Sequence, residues 1–122
     1  MATTLGSILL GTADPERLRN WYVEAFAAKV DEYGFLQFED SPGVLIDGRT
    51  DVKPANPEPA RVILNFHVDD ARATAAHLDR MGVSWLVRVE ERDNGLFGTL
   101  LDPDGNYVQI IQLSEEYLAT RS

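Results

Sequence analysis

The hydrophobic and polar positions of this chain follow the same order twice. A strand-like run at 6–12 (GSILLGT) leads through Asp14 into a helical pattern, and a second run at 62–68 (VILNFHV) leads through Asp70 into another. Asp14 aligns with Asp70 under a shift of 56 residues (70 minus 14). The strand positions that coincide under this shift are Ile8 with Leu64, Leu10 with Phe66, and Thr12 with Val68. The same face of each predicted strand is therefore apolar.

Each of these strands precedes a helix whose ends are marked by capping residues. The first helix is predicted over about 15–28, with Asp14 as its N-cap. Its apolar residues recur every three or four positions, which indicates one buried face. These residues are Leu18, Trp21, Tyr22, Ala25 and Phe26. The second helix is predicted over about 71–81, between the cap Asp70 and the stop signal Gly82.

Three short strands follow each helix. They are predicted at about 30–33, 35–39 and 44–46 in the first half, and at about 83–90, 96–101 and 107–113 in the second. The segment 47–60 carries three prolines and is predicted to be an extended linker. The plan is βαβββ repeated in modules at about 5–46 and 61–113, which is an α+β fold.

Composition and charge exclude several classes of function. The 122 residues include 20 acidic and 11 basic side chains, for a net charge of −9. Because nucleic acids and anionic membranes require clustered basic residues, neither is an expected partner. There is no Cys, so disulfides, thiolate metal sites and a cysteine nucleophile are excluded. No signal peptide or apolar stretch of about 20 residues is visible, and a cytoplasmic location is expected.

Three features together resemble the vicinal oxygen chelate superfamily, which includes glyoxalase I, extradiol dioxygenases and bleomycin resistance proteins. They are a strand ending in TAD or VDD before a helix, the pair Trp21-Tyr22 in the first helix, and DPDGN at 102–106 before the last strand. The resemblance covers about residues 5–113. It implies one glyoxalase/bleomycin-resistance-like domain over 1–122, with curled mixed sheets around a cup-shaped cavity. It also implies a homodimer, formed side by side or by swapping modules.

Metal-using members of that superfamily place their metal ligands at four strand positions. The resemblance carries these positions onto Ser7, Leu45, Ile63 and Gln109. Two aliphatic side chains and two neutral oxygens do not supply the imidazole, carboxylate or thiolate ligands of a divalent catalytic site. We therefore expect no metal and no other cofactor. His77 is expected to be a surface residue of the second helix.

Strand alternation indicates which side chains face the implied cavity. Leu64, Phe66 and Val68 should pack beneath the second helix, which turns the intervening residues toward the cavity. The expected ligand-binding residues are Ser7, Leu9, Asn65, His67, Tyr107, Gln109 and Ile111, and Gly11 and Ile63 share their faces. A solvated sheet face on which Asn65 and His67 hydrogen-bond neighbouring strands or water fits the pattern equally well. The side chains whose orientation stays open are Trp85, Arg88 and Phe97.

These observations favour a metal-free protein that binds and sequesters a small organic molecule. The net charge favours a cationic guest, and an aromatic one is also compatible. One alternative is a metal-dependent lyase, isomerase or dioxygenase of the same superfamily. Another is a dimerisation module without a ligand. If the protein does catalyse a reaction, His67 is the one candidate acid or base, because its ordinary pKa lies near neutrality.

Overall fold

Both halves of the chain form the same kind of sheet. The computed structural model describes residues 1–120, and the chain divides into two units, unit 1 (Met1–Pro57) and unit 2 (Glu58–Ser122). Unit 1 contains β1 (Ser7–Thr12), α1 (Pro15–Phe26), β2 (Lys29–Val30), β3 (Phe35–Gln37) and β4 (Gly43–Gly48). Its sheet has the order β1-β4-β3-β2, in which β1 and β4 are parallel and the other pairs are antiparallel.

Unit 2 repeats this topology. Its elements are β5 (Leu64–His67), α2 (Ala71–Met81), β6 (Ser84–Arg92), β7 (Gly95–Leu101), β8 (Tyr107–Leu113) and α3 (Glu115–Thr120). The sheet order is β5-β8-β7-β6, again with a parallel pair, β5 and β8, and otherwise antiparallel neighbours. The predicted α+β class, with a mixed sheet in each βαβββ module, is confirmed. The short helix α3 was not predicted.

The two longer helices begin at the aspartates that the repeat aligns. The Asp14 carboxylate accepts a hydrogen bond from the backbone N–H of Arg17 at 3.2 Å. The Asp70 carboxylate accepts one from the backbone N–H of Ala73 at 3.0 Å. Each bond satisfies a donor of the first helical turn that has no partner within the helix. The predicted N-caps are therefore confirmed.

Several elements end at other residues than predicted, for local reasons. Helix α1 stops at Phe26 because Ala27 takes the left-handed backbone conformation, with φ of 54°. Strand β2 ends before its predicted bound because the Asp31 carboxylate accepts hydrogen bonds from the backbone N–H groups of Tyr33 and Phe35, at 2.9 and 3.0 Å. These bonds close a turn, and a turn of this kind competes with strand pairing.

Strand β4 is longer than predicted and enters the segment expected to be a linker. It continues through Gly48 because Asp47 and Gly48 remain paired with the end of β1. Residues 49–63 contain neither helix nor strand. Only the first two residues of the predicted linker therefore belong to the sheet, because each pairs with a residue 36 positions earlier in the chain.

Each longer helix buries one face of its own sheet. In unit 1 the buried residues are Leu18, Tyr22 and Ala25 of α1 with Leu36, Val44 and Ile46 of the sheet. In unit 2 they are Ala71 and Leu78 of α2 with Leu100, Val108 and Ile110. Trp21 and Phe26, predicted for the same stripe of α1, are only half-buried. Among residues 1–120, no helix has the length and apolar character needed to cross a membrane.

The hydrogen bond at the N-cap of α2 should contribute measurably to stability. We expect Asp70→Ala to lower the free energy of unfolding by about 1 kcal/mol, because the Ala73 N–H loses its partner. The exposed neighbour Asp69 has no hydrogen bond or ion pair within residues 1–120, so Asp69→Ala serves as the control and should change little. Urea denaturation of both variants measures the difference, and equal effects would contradict the assignment of the cap.

Candidate functional site

The side chain of Gln112 shows which face of β8 is turned toward α2. Its Oε1 accepts a hydrogen bond from the backbone N–H of Ala71, the first residue of α2, at 2.8 Å. Side chains alternate along a strand, so the fully buried Ile110 shares this face, whereas Gln109 and Ile111 lie on the opposite one. We call the face of the unit 2 sheet opposite α2 the Gln109 face.

Strand register assembles the Gln109 face from neighbouring strands. The parallel partner β5 places Asn65 beside Gln109 and His67 beside Ile111. The five predicted ligand-binding residues of unit 2 therefore share one face: Asn65, His67, Tyr107, Gln109 and Ile111. The antiparallel partner β7 adds three residues that were not among them, Phe97 beside Ile111, Thr99 beside Gln109, and Leu101 beside Tyr107. Side-chain alternation along β7 could have indicated these three residues, but it assigns them to this face only once the register between β7 and β8 is known.

The residues of this face differ in exposure and in hydrogen bonding. Ile111 is 5% exposed and Thr99 is 7% exposed, so both lie in its floor. Gln109 is half-buried, and its Nε2 donates a hydrogen bond to Oγ1 of Thr99 at 3.3 Å. Asn65 and His67 are exposed, and within residues 1–120 their side chains make no hydrogen bond. The face thus combines an apolar floor with a few polar groups.

In unit 1, Gly48 shows which face of β4 is turned toward α1. A Cβ built on Gly48 would lie 3.2 Å from Cγ of Pro15, the first residue of α1. By alternation, Leu45 and Asp47 are on the opposite face, which we call the Ser7 face. The β1 residues on it are Ser7, Leu9 and Gly11. Leu9 is 52% exposed, so this face carries an accessible apolar side chain as well as the Ser7 hydroxyl.

Gly11 lies on the Ser7 face as expected, and the side chains of Arg49 and Val52 cover it. A Cβ built on it would lie 2.7 Å from Cδ of Arg49 and 3.5 Å from Cγ1 of Val52. Arg49 is held in place by two carboxylates: Nε and Nη2 donate to Asp51, both at 2.8 Å, and Nη1 donates to Asp47 at 3.2 Å. The bond to Arg49 lowers the pKa of the Asp51 carboxyl. The first residues after β4 therefore fold back over this end of the face.

The four positions that the resemblance implies for metal ligands do not fit a metal ion. Leu45 and Ile63 have no donor atom, and the amide nitrogen of Gln109 is bonded to Thr99. This leaves the Ser7 hydroxyl and one amide oxygen, which are weak neutral ligands. Within the part of the chain that the structure describes, no three His, Asp or Glu side chains cluster as metal ligands.

Trp85 and Arg88, whose orientations were open, lie on the side of the sheet that faces α2. Nε1 of Trp85 donates to Oδ1 of Asp79 in α2 at 2.7 Å, and Nη1 of Arg88 lies 3.3 Å from each oxygen of the same carboxylate. The Trp85 bond is the main cause of a lowered pKa of the Asp79 carboxyl, and Arg88 adds to it. These two side chains therefore do not belong to the Gln109 face. His77, predicted as surface, is half-buried on α2.

Two surface clefts of unit 2 lie away from the Gln109 face. One, of about 520 Å³, is bounded by the β6–β7 turn and the first residues of α3. The other, of about 240 Å³, lies between α2 and β6 and includes Trp85 and Arg88. Neither cleft is lined by a predicted ligand-binding residue.

The repeated βαβββ topology is that of the vicinal oxygen chelate superfamily, to which this protein belongs. Within it, the chain is a member of the Glyoxalase-like domain family, whose match spans residues 7–111. The match includes both units and every strand and helix from β1 to the first part of β8. No curated protein matches the chain.

Solved structures of other proteins share the fold at low sequence identity. TnmS3, an antibiotic binding protein from Streptomyces sp. CB03234, is 21% identical, with a TM-score of 0.69 over 93% of this chain and 99% of its own. A glyoxalase/bleomycin resistance protein/dioxygenase family enzyme from Burkholderia phytofirmans PsJN is 16% identical, with a TM-score of 0.74 over 92% of this chain and 100% of its own. These similarities establish the fold.

The Asp79 carboxylate predicts how stability changes in acid. Because its pKa is lowered in the folded protein, it stabilises the fold above its ordinary value of 3.8, and this contribution is lost as the pH falls below that value. We expect Asp79→Asn, which keeps an oxygen for the Trp85 bond, to flatten the decline of unfolding free energy between about pH 5 and pH 2. Urea denaturation across this range measures it.

The control for this experiment is Asp69→Asn, which removes an exposed carboxylate that has no bond within residues 1–120. Its pH profile should parallel that of the unchanged protein. A parallel profile for Asp79→Asn as well would show that the carboxylate does not stabilise the fold.

Proposed function

We propose that this protein binds a small organic molecule without a metal ion and holds it against the Gln109 face. The observation that carries this proposal is the composition of that face. The apolar side chains of the buried Ile111 and the half-buried Phe97 are combined with a few polar side chains, among them the oriented amide of Gln109. Small-molecule sites are typically of this kind, mostly apolar with a small number of placed polar groups.

The residues at the implied metal positions support binding rather than metal-dependent catalysis. Leu45 and Ile63 cannot coordinate an ion, and a catalytic divalent site typically uses three protein ligands. His67 is the acid–base candidate that the sequence indicates, and within residues 1–120 it has no carboxylate partner to fix its tautomer. Sequestration of an unchanged ligand requires neither a metal ion nor an acid–base group.

The comparison with TnmS3 agrees with this proposal. That protein is described as antibiotic binding, and it shares the fold of this chain over almost the whole length of both. Because fold alone does not determine function, the side chains of the Gln109 face carry the proposal. The Ser7 face contributes a separate apolar surface through Leu9, and we propose that it also takes part in binding. Homodimer formation and a cytoplasmic location stay predictions.

A thermal-shift screen of small aromatic compounds and divalent metals tests the proposal. We expect organic compounds to raise Tm, by an amount that grows with concentration, because a ligand that binds only the folded state stabilises it. We expect metals alone to leave Tm unchanged. His67→Trp should abolish the shift by covering the Gln109 face, and Arg72→Trp, an exposed position on α2, is a control of equal bulk that should retain it. Loss of the shift in both variants would contradict the proposal that the ligand binds at the Gln109 face.

Leu9→Trp tests the Ser7 face in the same assay. If this face takes part in binding, a large ring in place of the 52%-exposed leucine should reduce the ligand-induced shift. An unchanged shift would limit binding to unit 2.

Elemental analysis of protein purified without chelators tests the absence of a metal. We expect no stoichiometric transition metal. Zn, Ni, Mn or Fe at one equivalent, lost in Gln109→Ala, would overturn the proposal in favour of a metal-dependent lyase, isomerase or dioxygenase.

A further inference from the structure

The polar side chains in the middle of the Gln109 face are uncharged and form one row. Asn65, Gln109 and Thr99 occupy paired positions on β5, β8 and β7. Neighbouring strands lie about 4.8 Å apart, so the row presents two carboxamides and a hydroxyl over roughly 10 Å. A carboxamide offers both a donor and an acceptor, which makes the row suited to a ligand group that also carries both.

The bond between Gln109 and Thr99 orients this row. Because Nε2 of Gln109 donates to Oγ1 of Thr99 at 3.3 Å, the Gln109 amide is held with its Oε1 directed away from that hydroxyl. Within residues 1–120 no group donates to this oxygen, and the Asn65 amide has no partner of either kind. Oε1 of Gln109 and the amide of Asn65 can therefore form hydrogen bonds with a ligand without first breaking a bond within the protein.

Large apolar side chains lie on both sides of the row. Ile111 and Phe97 lie in the adjacent row on one side, and Tyr107 and Leu101 on the other. The row with Ile111 also includes the imidazole of His67 on β5 and the carboxylate of Glu90, the β6 partner of Phe97.

The charged residues near Phe97 already neutralise each other. Nη2 of Arg92 lies 3.1 Å from Oε1 of Glu90, and the Arg92 guanidinium carbon lies 5.5 Å from the Phe97 ring centroid. A charged ligand group placed against the row would therefore lose water without gaining a counter-charge, which is costly.

We propose that the ligand presents an uncharged amide-type edge, as in a carboxamide, lactam or imide, to the row of Asn65, Gln109 and Thr99, with an apolar or aromatic body against Ile111 and Phe97. A neutral amide exchanges its bonds to water for bonds to the two carboxamides, at little net cost. A site built to hydrogen-bond such a group discriminates against analogues that lack it. This inference rests on the proposed function and narrows it to a ligand class.

The proposed ligand, a neutral amide, differs from the cation that the net charge alone favours. A charge of −9 attracts cations at long range, but salt screens this attraction beyond about 8 Å at physiological ionic strength. At contact, the neutral row decides which group is bound. The net charge therefore predicts tighter binding of a cation, whereas the neutral row predicts tighter binding of an amide of the same size.

Three probes with the same ring separate these predictions: benzamide, benzoate and benzylammonium. Each is titrated into isotope-labelled full-length protein while the backbone amide signals are followed by NMR. We expect benzamide to shift signals of β5, β7 and β8, with a Kd about tenfold lower than those of the two ions, which is the effect of one or two hydrogen bonds.

Gln109→Glu is the decisive variant, because it keeps the shape of the side chain and adds a negative charge. It should weaken benzamide binding about tenfold and make benzylammonium the preferred probe. Asn65→Asp, at an exposed position, makes the same kind of change and tests the inference independently of whether Gln109→Glu folds. Asn20→Asp, an exposed position on α1, adds the same charge away from the row and should keep the preference for benzamide.

The outcomes separate the inference from the proposed function. Binding of the three probes to the Gln109 face with equal affinity, or a preference for either ion, would overturn the inference and leave small-molecule binding intact. A benzamide preference that survives both Gln109→Glu and Asn65→Asp would also overturn it. Failure of all three probes, together with no stabilising compound in the thermal-shift screen, would overturn both.

Discussion

The burial of one face of each sheet beneath its own helix is the constraint on which the rest of the structure depends. In unit 2 the hydrogen bond from Ala71 to the Gln112 side chain joins the start of α2 to β8 and determines which face of that strand is covered. Alternation then places Gln109 and Ile111 on the other face. A change of register by one residue would bury the amide and expose Ile110, so this arrangement is strongly specified.

The two units show how a repeated backbone carries different chemistry. Leu9 is paired with Leu45 in unit 1 in the same parallel register that pairs Asn65 with Gln109 in unit 2. The first pair is aliphatic and the second is made of carboxamides. The fold is the same in both units, so the difference in what each face can bind lies in the side chains and not in the topology.

Local electrostatics and the total charge lead to different expectations for the ligand. The acidic side chains give the whole molecule a large negative charge, yet the central row of the Gln109 face is neutral. At the end of the Ser7 face, by contrast, Arg49 is paired with two carboxylates, Asp47 and Asp51, which leaves a net negative charge there. Since contact energies depend on the groups within a few ångströms, the neutral row carries more weight for selectivity than the net charge does.

The sequence by itself determined the element order, the N-caps Asp14 and Asp70, and the faces on which Gln109 and Ile111 lie. These depend on hydrogen bonds and periodicities within a few residues, which the local sequence encodes. Only the tertiary structure decided that Thr99 and Phe97 join this face and that Arg49 covers Gly11. Those contacts depend on strand register and on ion pairs at the end of a strand, whose partners come together only when distant segments of the chain pack. Helix α3 is a different case, because its cap is local: Ser114 accepts a hydrogen bond from the Tyr117 N–H, and this signal was present in the sequence.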